Sequence, residues 1–146
     1  PERAGSLPTT ELLELAFSGR YTREELGRKL VGQGGLMAYL GTNDARTVEE
    51  RIDQGDERAR LIYQALAYQV AKEIGALATV LRGKVDAVVI TGRLAHSQRL
   101  VGWIKERVGF LGPVLCYPGE DELWTLALRG LGALRGEEKV LDYPGD

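Results

Sequence analysis

Residues 86–97 carry the sequence DAVVITGRLAHS, in which a run of β-branched residues leads into a Thr-Gly pair and a short polar segment. A continuous apolar run of this kind predicts a β-strand that is covered on both faces. The Thr-Gly pair predicts a turn whose backbone a ligand can approach closely, and Ser97 can cap a following helix. Two interpretations stay open on these residues alone: a nucleotide-binding turn, or an ordinary loop between a strand and a helix.

A helix and a second strand are predicted directly after this stretch. Leu100, Ile104 and Val108 recur at helical spacing and form one apolar stripe. The segment PVLCYP at 113–118 predicts a second short buried strand, and EDELWTLALRGLGALRG predicts another helix. Strand, helix, strand and helix in that order form an α/β unit with parallel strands. Because ligands bind at the carboxyl ends of such strands, we expect a site where the two strands end.

The part of the chain that precedes this unit is predicted to be helical. Thr9 or Thr10 can cap a first helix, and a capping-box pattern follows it. The glycine-rich segment GQGG is the predicted internal boundary. It divides the chain into a helical lead-in segment, residues 1–34, and a lobe, residues 35–146.

Two more helices are predicted between the glycines and the first strand. Residues 45–54 form a short helix, and Asp56 caps a long helix that reaches Leu81. The middle of the long helix is apolar on almost every side, which predicts burial on most sides.

The composition excludes several classes of function. The 19 Lys and Arg side chains nearly balance 21 Asp and Glu, and the net charge of −2 argues against nucleic acid or a membrane surface as a partner. We expect neither a membrane span nor a secretion signal. The single cysteine makes the reducing cytoplasm the expected compartment. One Cys and one His exclude an internal disulfide and a zinc site made of Cys and His. Cys116 is expected in the core, and Trp103 and Trp124 in the core or at a subunit interface.

Two further polar segments can carry chemistry. In GTNDAR, Asp44 can accept hydrogen bonds from ribose hydroxyls and Arg46 can stack on an adenine; alternatively, Asp44 is a helix N-cap beside an exposed Arg46. In GEDELW, three carboxylates can hold Mg²⁺, or they complement the dipole of a helix that begins there. His96 is expected as a loop or cap residue and not as a catalytic base.

Three long segments closely resemble the carboxy-terminal part of butyrate kinases: VGQGGLMAYLGTNDARTVEERI, VDAVVITGRLAHSQRLVGWIKERV and PVLCYPGEDELWTLALRGL. Butyrate kinases belong to the acetokinase family, within the superfamily of sugar kinases, Hsp70 and actin. The resemblance implies an α/β lobe of the ribonuclease H-like, actin-like ATPase fold, helix-rich and with a short parallel βαβα unit. It implies a kinase that uses ATP and Mg²⁺ to convert a short-chain fatty acid carboxylate into an acyl phosphate, with ADP as the other product.

The resemblance also assigns roles to residues. Arg93 stands where the family usually has the second glycine of Thr-Gly-Gly-Leu-Ala-His-Ser, so a long side chain there costs affinity unless it points to solvent. Glu122 is matched to the Mg²⁺-associated acid, with Glu120 and Asp121 as alternatives. The nucleotide would be bound by Asn43, Asp44, Arg46, Gly92, Arg93, Leu94, Ala95, His96 and Ser97.

The resemblance implies that the catalytic residues lie in an amino-terminal half that this chain does not include. Because phosphoryl transfer depends on positioning and charge stabilisation, we expect no catalytic residue within the chain and no kinase activity from it alone. A homodimer is expected, as the carboxy-terminal lobes of acetokinases form dimers. Two other functions remain as alternatives: a non-catalytic dimerisation domain, and a module that binds ADP without turnover.

Overall fold

We describe a computed structural model of the chain, which covers residues 1–119 and 122–142, apart from the side chain of Glu122. A 3₁₀ turn, Arg93–His96, joins the first strand to the helix after it. The helices and strands are, in chain order, α1 Thr9–Phe17, α2 Arg23–Leu30, α3 Gly35–Leu40, α4 Ala45–Asp53, α5 Glu57–Val80, β1 Val88–Gly92, α6 Gln98–Val108, β2 Val114–Pro118 and α7 Glu122–Leu134.

Side-chain caps begin several of these helices, as predicted. The hydroxyl of Thr22 accepts a hydrogen bond from the Glu25 N–H at 3.2 Å, and the Glu25 carboxylate accepts one from the Thr22 N–H at 2.8 Å, which completes the capping box. Asp56 caps α5 by accepting a hydrogen bond from the Ala59 N–H at 2.9 Å. These caps satisfy N–H groups that the first turn of a helix leaves without a partner.

The cap predicted for α1 is wrong. Pro8, whose side chain has no hydrogen-bonding atom, occupies the N-cap position, and Thr9 and Thr10 already lie inside the helix. Pro8, with φ of −63° and ψ of 125°, lies before the first helical residue, so its ring interrupts no hydrogen bond of the helix.

The first residues of the chain pack directly on the glycine-rich segment. Residue Ala4 donates its N–H to Leu30 O at 2.9 Å, and the Gly32 and Gly34 N–H groups both donate to Glu2 O. A Cβ on Gly34 would lie 2.5 Å from the Ala4 nitrogen, so only glycine leaves room for this approach. The division of the chain after residue 34 stays a prediction.

The core is centred on α5, which packs against α6, α4 and α3. The buried face of α5 is made mainly of alanines, which let α5 and α6 approach closely, and Tyr63 is the large buried residue among them. The apolar stripe predicted for α6 is confirmed, because Leu100, Ile104 and Val108 are all buried. The expected burial of α5 on most sides is wrong: its apolar middle is covered along one side, at Ala67 and Ala71, but Tyr68 in the same stretch is 52% exposed. An apolar composition indicates that a helix can be covered, but not which neighbour covers it.

Strands β1 and β2 are parallel, as predicted, and pair from Val88 with Val114 to Gly92 with Pro118. Helix α6 follows β1 and returns the chain to β2. Coverage of β1 on both faces is not observed, since Val88 is buried but Val89 is 57% exposed.

The second strand and the last helix are more exposed than predicted. Cys116, in β2, is exposed and not a core residue. Trp103 packs against the core, with its ring 5.9 Å from that of Tyr63, whereas Trp124 in α7 is 66% exposed. Within residues 1–119 and 122–142, no helix combines the length and apolar character needed to cross a lipid bilayer.

Candidate functional site

A cleft of about 600 Å³ opens between two segments that are about fifty residues apart in the sequence. One side is residues 43–46, which lead into α4, and the other is residues 93–97, which lead from the 3₁₀ turn into α6. Seven of the nine residues predicted to bind nucleotide line it, and the sequence prediction missed Glu49. The lining residues are Pro1, Asn43, Asp44, Ala45, Arg46, Glu49, Arg93, Leu94, His96 and Ser97.

Asp44 both caps α4 and lines the cleft. Its Oδ1 accepts a hydrogen bond from the Arg46 N–H at 3.1 Å, and its own N–H donates to Thr42 Oγ1 at 3.1 Å. The cap interpretation of Asp44 is therefore confirmed, and it leaves further acceptor capacity on the carboxylate. Beside it, Asn43 donates from Nδ2 to Glu2 Oε2 at 2.8 Å, while the exposed Arg46 side chain lines the cleft.

Gly92 sets the direction of the chain as it leaves β1. Its φ of 84° and ψ of −175° belong to a region that only glycine adopts readily. Arg93 follows in a right-handed 3₁₀ turn, where any residue fits, so the backbone does not require the glycine that the resemblance predicts there. The Arg93 side chain is exposed and lines the cleft.

Gly92 and Ala95 lie outside the lining of the cleft. Ala95 is 3% exposed and packs under the turn, where its carbonyl oxygen accepts a hydrogen bond from the Cys116 thiol at 3.4 Å. These two residues therefore shape the turn, and the side chains of its other residues reach the cleft.

Glu49 connects the two sides of the cleft. Ser97 caps α6 by accepting a hydrogen bond from the Leu100 N–H at 2.9 Å, and its hydroxyl donates a short hydrogen bond to Glu49 Oε1. The hydroxyl of Tyr63 lies 3.1 Å from Ser97 Oγ and 3.3 Å from Glu49 Oε1. Burial, with the nearby charge of Glu49, raises the pKa of Tyr63 to about 12. One signal in the sequence points to Glu49: it lies one helical turn after Ala45 and so shares its face.

A second cavity, of about 680 Å³, lies at the carboxyl ends of β1 and β2, where a ligand site was predicted. Glu120 and the side chain of Glu122, the predicted Mg²⁺ residues, lie outside the described residues. Among the residues that are described, no three His, Cys, Asp or Glu side chains come together as metal ligands do. The cavity is lined by Thr91, Cys116, Tyr117, Pro118, Gly119, Thr125 and Leu126.

The charged and polar groups that line the first cleft suit an anionic ligand that also carries hydroxyl groups. Arg46 and Arg93 supply two guanidinium groups, and the amino ends of α4 and α6 border the same space. A helix amino end and a guanidinium both favour negative charge. The carboxylates of Asp44 and Glu49 can accept hydrogen bonds from hydroxyl groups.

Comparisons with known proteins show similarity in sequence and in fold. A family model described as the acetokinase family matches residues 2–113. The fold is similar to that of Porphyromonas gingivalis acetate kinase, with a TM-score of 0.79 and 21% identity, over 91% of this chain and 40% of that one. It is also similar to a propionate kinase from Francisella tularensis (TM-score 0.71, 22% identity, 84% and 37% covered) and to acetate kinase from Entamoeba histolytica (TM-score 0.72, 18% identity, 89% and 41% covered).

These likenesses confirm the predicted fold class, a helix-rich α/β lobe of the acetokinase type with a short parallel sheet. The chain spans about two fifths of the length of each of these kinases. The family model matches more than half of the chain, and it does so across both sides of the cleft. The chain therefore belongs to the acetokinase family.

Proposed function

We propose that this chain is the nucleotide-binding lobe of a butyrate kinase-like enzyme, a transferase that phosphorylates a short-chain fatty acid with ATP in the cytoplasm. One observation carries the proposal: in a chain of the acetokinase family, the cleft joins residues 43–46 to residues 93–97. The similar structures are named as acetate and propionate kinases, which supports a short-chain carboxylate as the substrate class. The choice of butyrate rests on the resemblance of the sequence.

In the proposed reaction, a carboxylate oxygen of the fatty acid attacks the γ-phosphorus of ATP. The bond from that phosphorus to the β,γ-bridging oxygen breaks, and ADP leaves with the electron pair. The lobe binds and orients the nucleotide: Asp44 accepts hydrogen bonds from ribose hydroxyls, and Arg46 stacks on the adenine. Holding the leaving ADP in line with the attacking oxygen is a large part of catalysis in such transfers.

Mg²⁺ would neutralise charge on the phosphates, and Glu122, or else Glu120, stays its predicted residue. The described residues bring no cluster of three metal-ligating side chains together, so we route no step through the ion. We place no catalytic residue within the chain.

We expect the 146-residue chain to bind ADP but to form no acyl phosphate. Trapping acyl phosphate as the hydroxamate, with butyrate, ATP and Mg²⁺, tests the second statement, and turnover near about 1 s⁻¹, in the ordinary range of enzymes, would contradict it. Calorimetry with ADP tests the first statement.

Two substitutions sharpen the binding experiment. Arg46→Ala removes the guanidinium proposed to stack on the adenine, so we expect ADP binding to weaken about tenfold, within the range for a cation stacked on an aromatic ring. Arg58→Ala is the matched control, because Arg58 is an exposed arginine outside the cleft lining and should leave ADP binding unchanged. Arg93→Gly restores the residue typical of the family and tells whether the arginine opposes or assists the nucleotide.

A dimerisation role is the second candidate function, and the exposure of α7 favours it. Trp124, Leu126 and Leu134 are all more than half exposed on this helix, which is a large apolar surface for a protein in water. We expect a homodimer or higher oligomer, which light scattering measures directly. A monomer at high concentration, together with heat on mixing with ADP, favours nucleotide binding over assembly as the function of the chain.

A further inference from the structure

Three helices meet behind the cleft through three polar side chains. Glu49 comes from α4, Tyr63 from α5, and Ser97 from the start of α6. Glu49 and Ser97 line the cleft, whereas Tyr63 is 0% exposed behind them. Because a buried hydroxyl without a partner is costly, each group depends on the other two.

Among these three side chains, only Glu49 acts solely as a hydrogen-bond acceptor. Ser97 Oγ accepts the Leu100 N–H at 2.9 Å and gives its one proton to Glu49 Oε1. The Tyr63 hydroxyl, 3.1 Å from Ser97 Oγ and 3.3 Å from Glu49 Oε1, donates to the same pair. The carboxylate of Glu49 is therefore the acceptor at which these bonds end.

We propose that Glu49 is a positioning residue, which holds residues 93–97 against residues 43–46 so that both sides of the cleft contact one nucleotide. That the ligand is a nucleotide rests on the proposed function, whereas the link that Glu49 makes between the two sides of the cleft does not depend on it. Glu49 lies in the second turn of α4, whose start carries residues 44–46. A bond from Glu49 to Ser97 therefore joins the second turn of α4 to the N-cap of α6, and these two helices border the cleft.

A second link between α4 and α6 supplies the matched control. Arg99 donates from NH2 to Asp53 Oδ1 at 2.7 Å, one turn further along α4 from Glu49. The side chain of Asp53 is 66% exposed, and neither residue lines the cleft. Solvent screens such an exposed ion pair, so Asp53→Ala, which takes away the acceptor, removes a link between the same helices with little effect on the cleft.

The test compares Glu49→Ala, Glu49→Gln and Asp53→Ala in the 146-residue chain. ADP affinity is measured by calorimetry at a temperature at which circular dichroism shows every variant folded. Backbone amide shifts of residues 93–97 are measured by NMR without ligand. If Glu49→Ala leaves the cleft aligned about one tenth of the time, its apparent Kd for ADP rises about tenfold. The same variant shifts the His96 amide.

The conservative variant separates positioning from charge. The amide oxygen of Glu49→Gln keeps the acceptor, so we expect an ADP Kd within about twofold of the wild-type value and wild-type amide shifts. Asp53→Ala should change neither quantity. Ser97→Asp keeps a capping oxygen but loses the donor, so it should act like Glu49→Ala; it also serves if Glu49→Ala does not fold.

Two results would overturn the proposal: ADP binding by Glu49→Ala at wild-type strength, or amide shifts of residues 93–97 that stay unchanged in that variant. A wild-type chain that gives no heat with ADP contradicts the proposed function instead. In that case the amide shifts decide the role of Glu49 alone: a shift in Glu49→Ala that Glu49→Gln restores supports the link, and its absence refutes it.

Discussion

Gly34 carries the sharpest prediction about the fold, because residues 1–4 lie directly against it. A Cβ at this position would lie 2.5 Å from the Ala4 nitrogen and 2.8 Å from the Arg3 carbonyl carbon. Both neighbours are backbone atoms, so no change of rotamer can relieve the contact. We expect Gly34→Ala to push residues 1–4 away and to lower the free energy of unfolding by about 1–3 kcal/mol, the usual cost of overpacking.

Release of residues 1–4 from their hydrogen bonds limits how large this loss can become. Four backbone bonds of 2.8 to 3.0 Å hold the segment: Ala4 to Leu30, two from Gly32 and Gly34 to Glu2, and Leu36 to Pro1. Each contributes a net of about 0.5–1.5 kcal/mol. Releasing a residue returns about 1–2 kcal/mol of conformational entropy, so the loss of bonds and the gain in freedom largely offset each other.

Urea unfolding measures the change in stability, and hydrogen exchange at the Leu36 amide reports whether residues 1–4 have moved. Gly27→Ala is the control, because a Cβ at Gly27, in α2, meets open space among the described residues. Its helix propensity should raise stability by up to about 1 kcal/mol. If Gly34→Ala unfolds at the same urea concentration as Gly27→Ala and keeps its Leu36 amide protected, the steric reasoning is refuted.

Two further predictions concern the site. Because the pKa of Tyr63 is raised from 10.0 to about 12 in the folded chain, its contribution to stability is complete below pH 10 and is lost as the pH rises towards 12. Urea titrations should show that the free energy of unfolding declines less over this pH range in Tyr63→Phe than in the wild-type chain. An equal decline in both would contradict the raised pKa of Tyr63. Gly92→Ala meets no atom within 4 Å but forces a side chain onto a φ of 84°, so we expect a loss of about 1–3 kcal/mol from backbone strain alone. Thermal unfolding measures it, and an unchanged melting temperature would show that the turn relaxes.

Features set by near neighbours in the chain could be predicted from the sequence. The capping box at Thr22, the cap at Asp56 and the stripe along α6 are confirmed because each depends on residues within one or two helical turns. The parallel pairing of β1 with β2 also followed, since a helix between two strands returns the chain in the same direction. The grouping of residues 43–46 with 93–97 came from the resemblance to acetokinases.

Several apolar segments are less buried in the structure than their sequences predicted. The apolar middle of α5, the β-branched run of β1 and Cys116 all predicted covered residues, yet each is partly or largely exposed in this chain. Hydrophobic residues indicate that a surface tends to be covered, but whether it is depends on what packs against it. That information is not in the local pattern.

By itself, the sequence determined most of the local elements, their order and the caps at Thr22, Asp56 and Ser97, because these depend on hydrogen bonds and side-chain spacing along a short length of chain. The tertiary structure alone decided that residues 1–4 rest on Gly34, and that Glu49 joins Ser97, 48 positions away. Such contacts form once the packing of α4, α5 and α6 has brought distant residues together. A hydrogen bond across that distance leaves no periodic trace in the sequence, because its partners are neighbours in space and not along the chain.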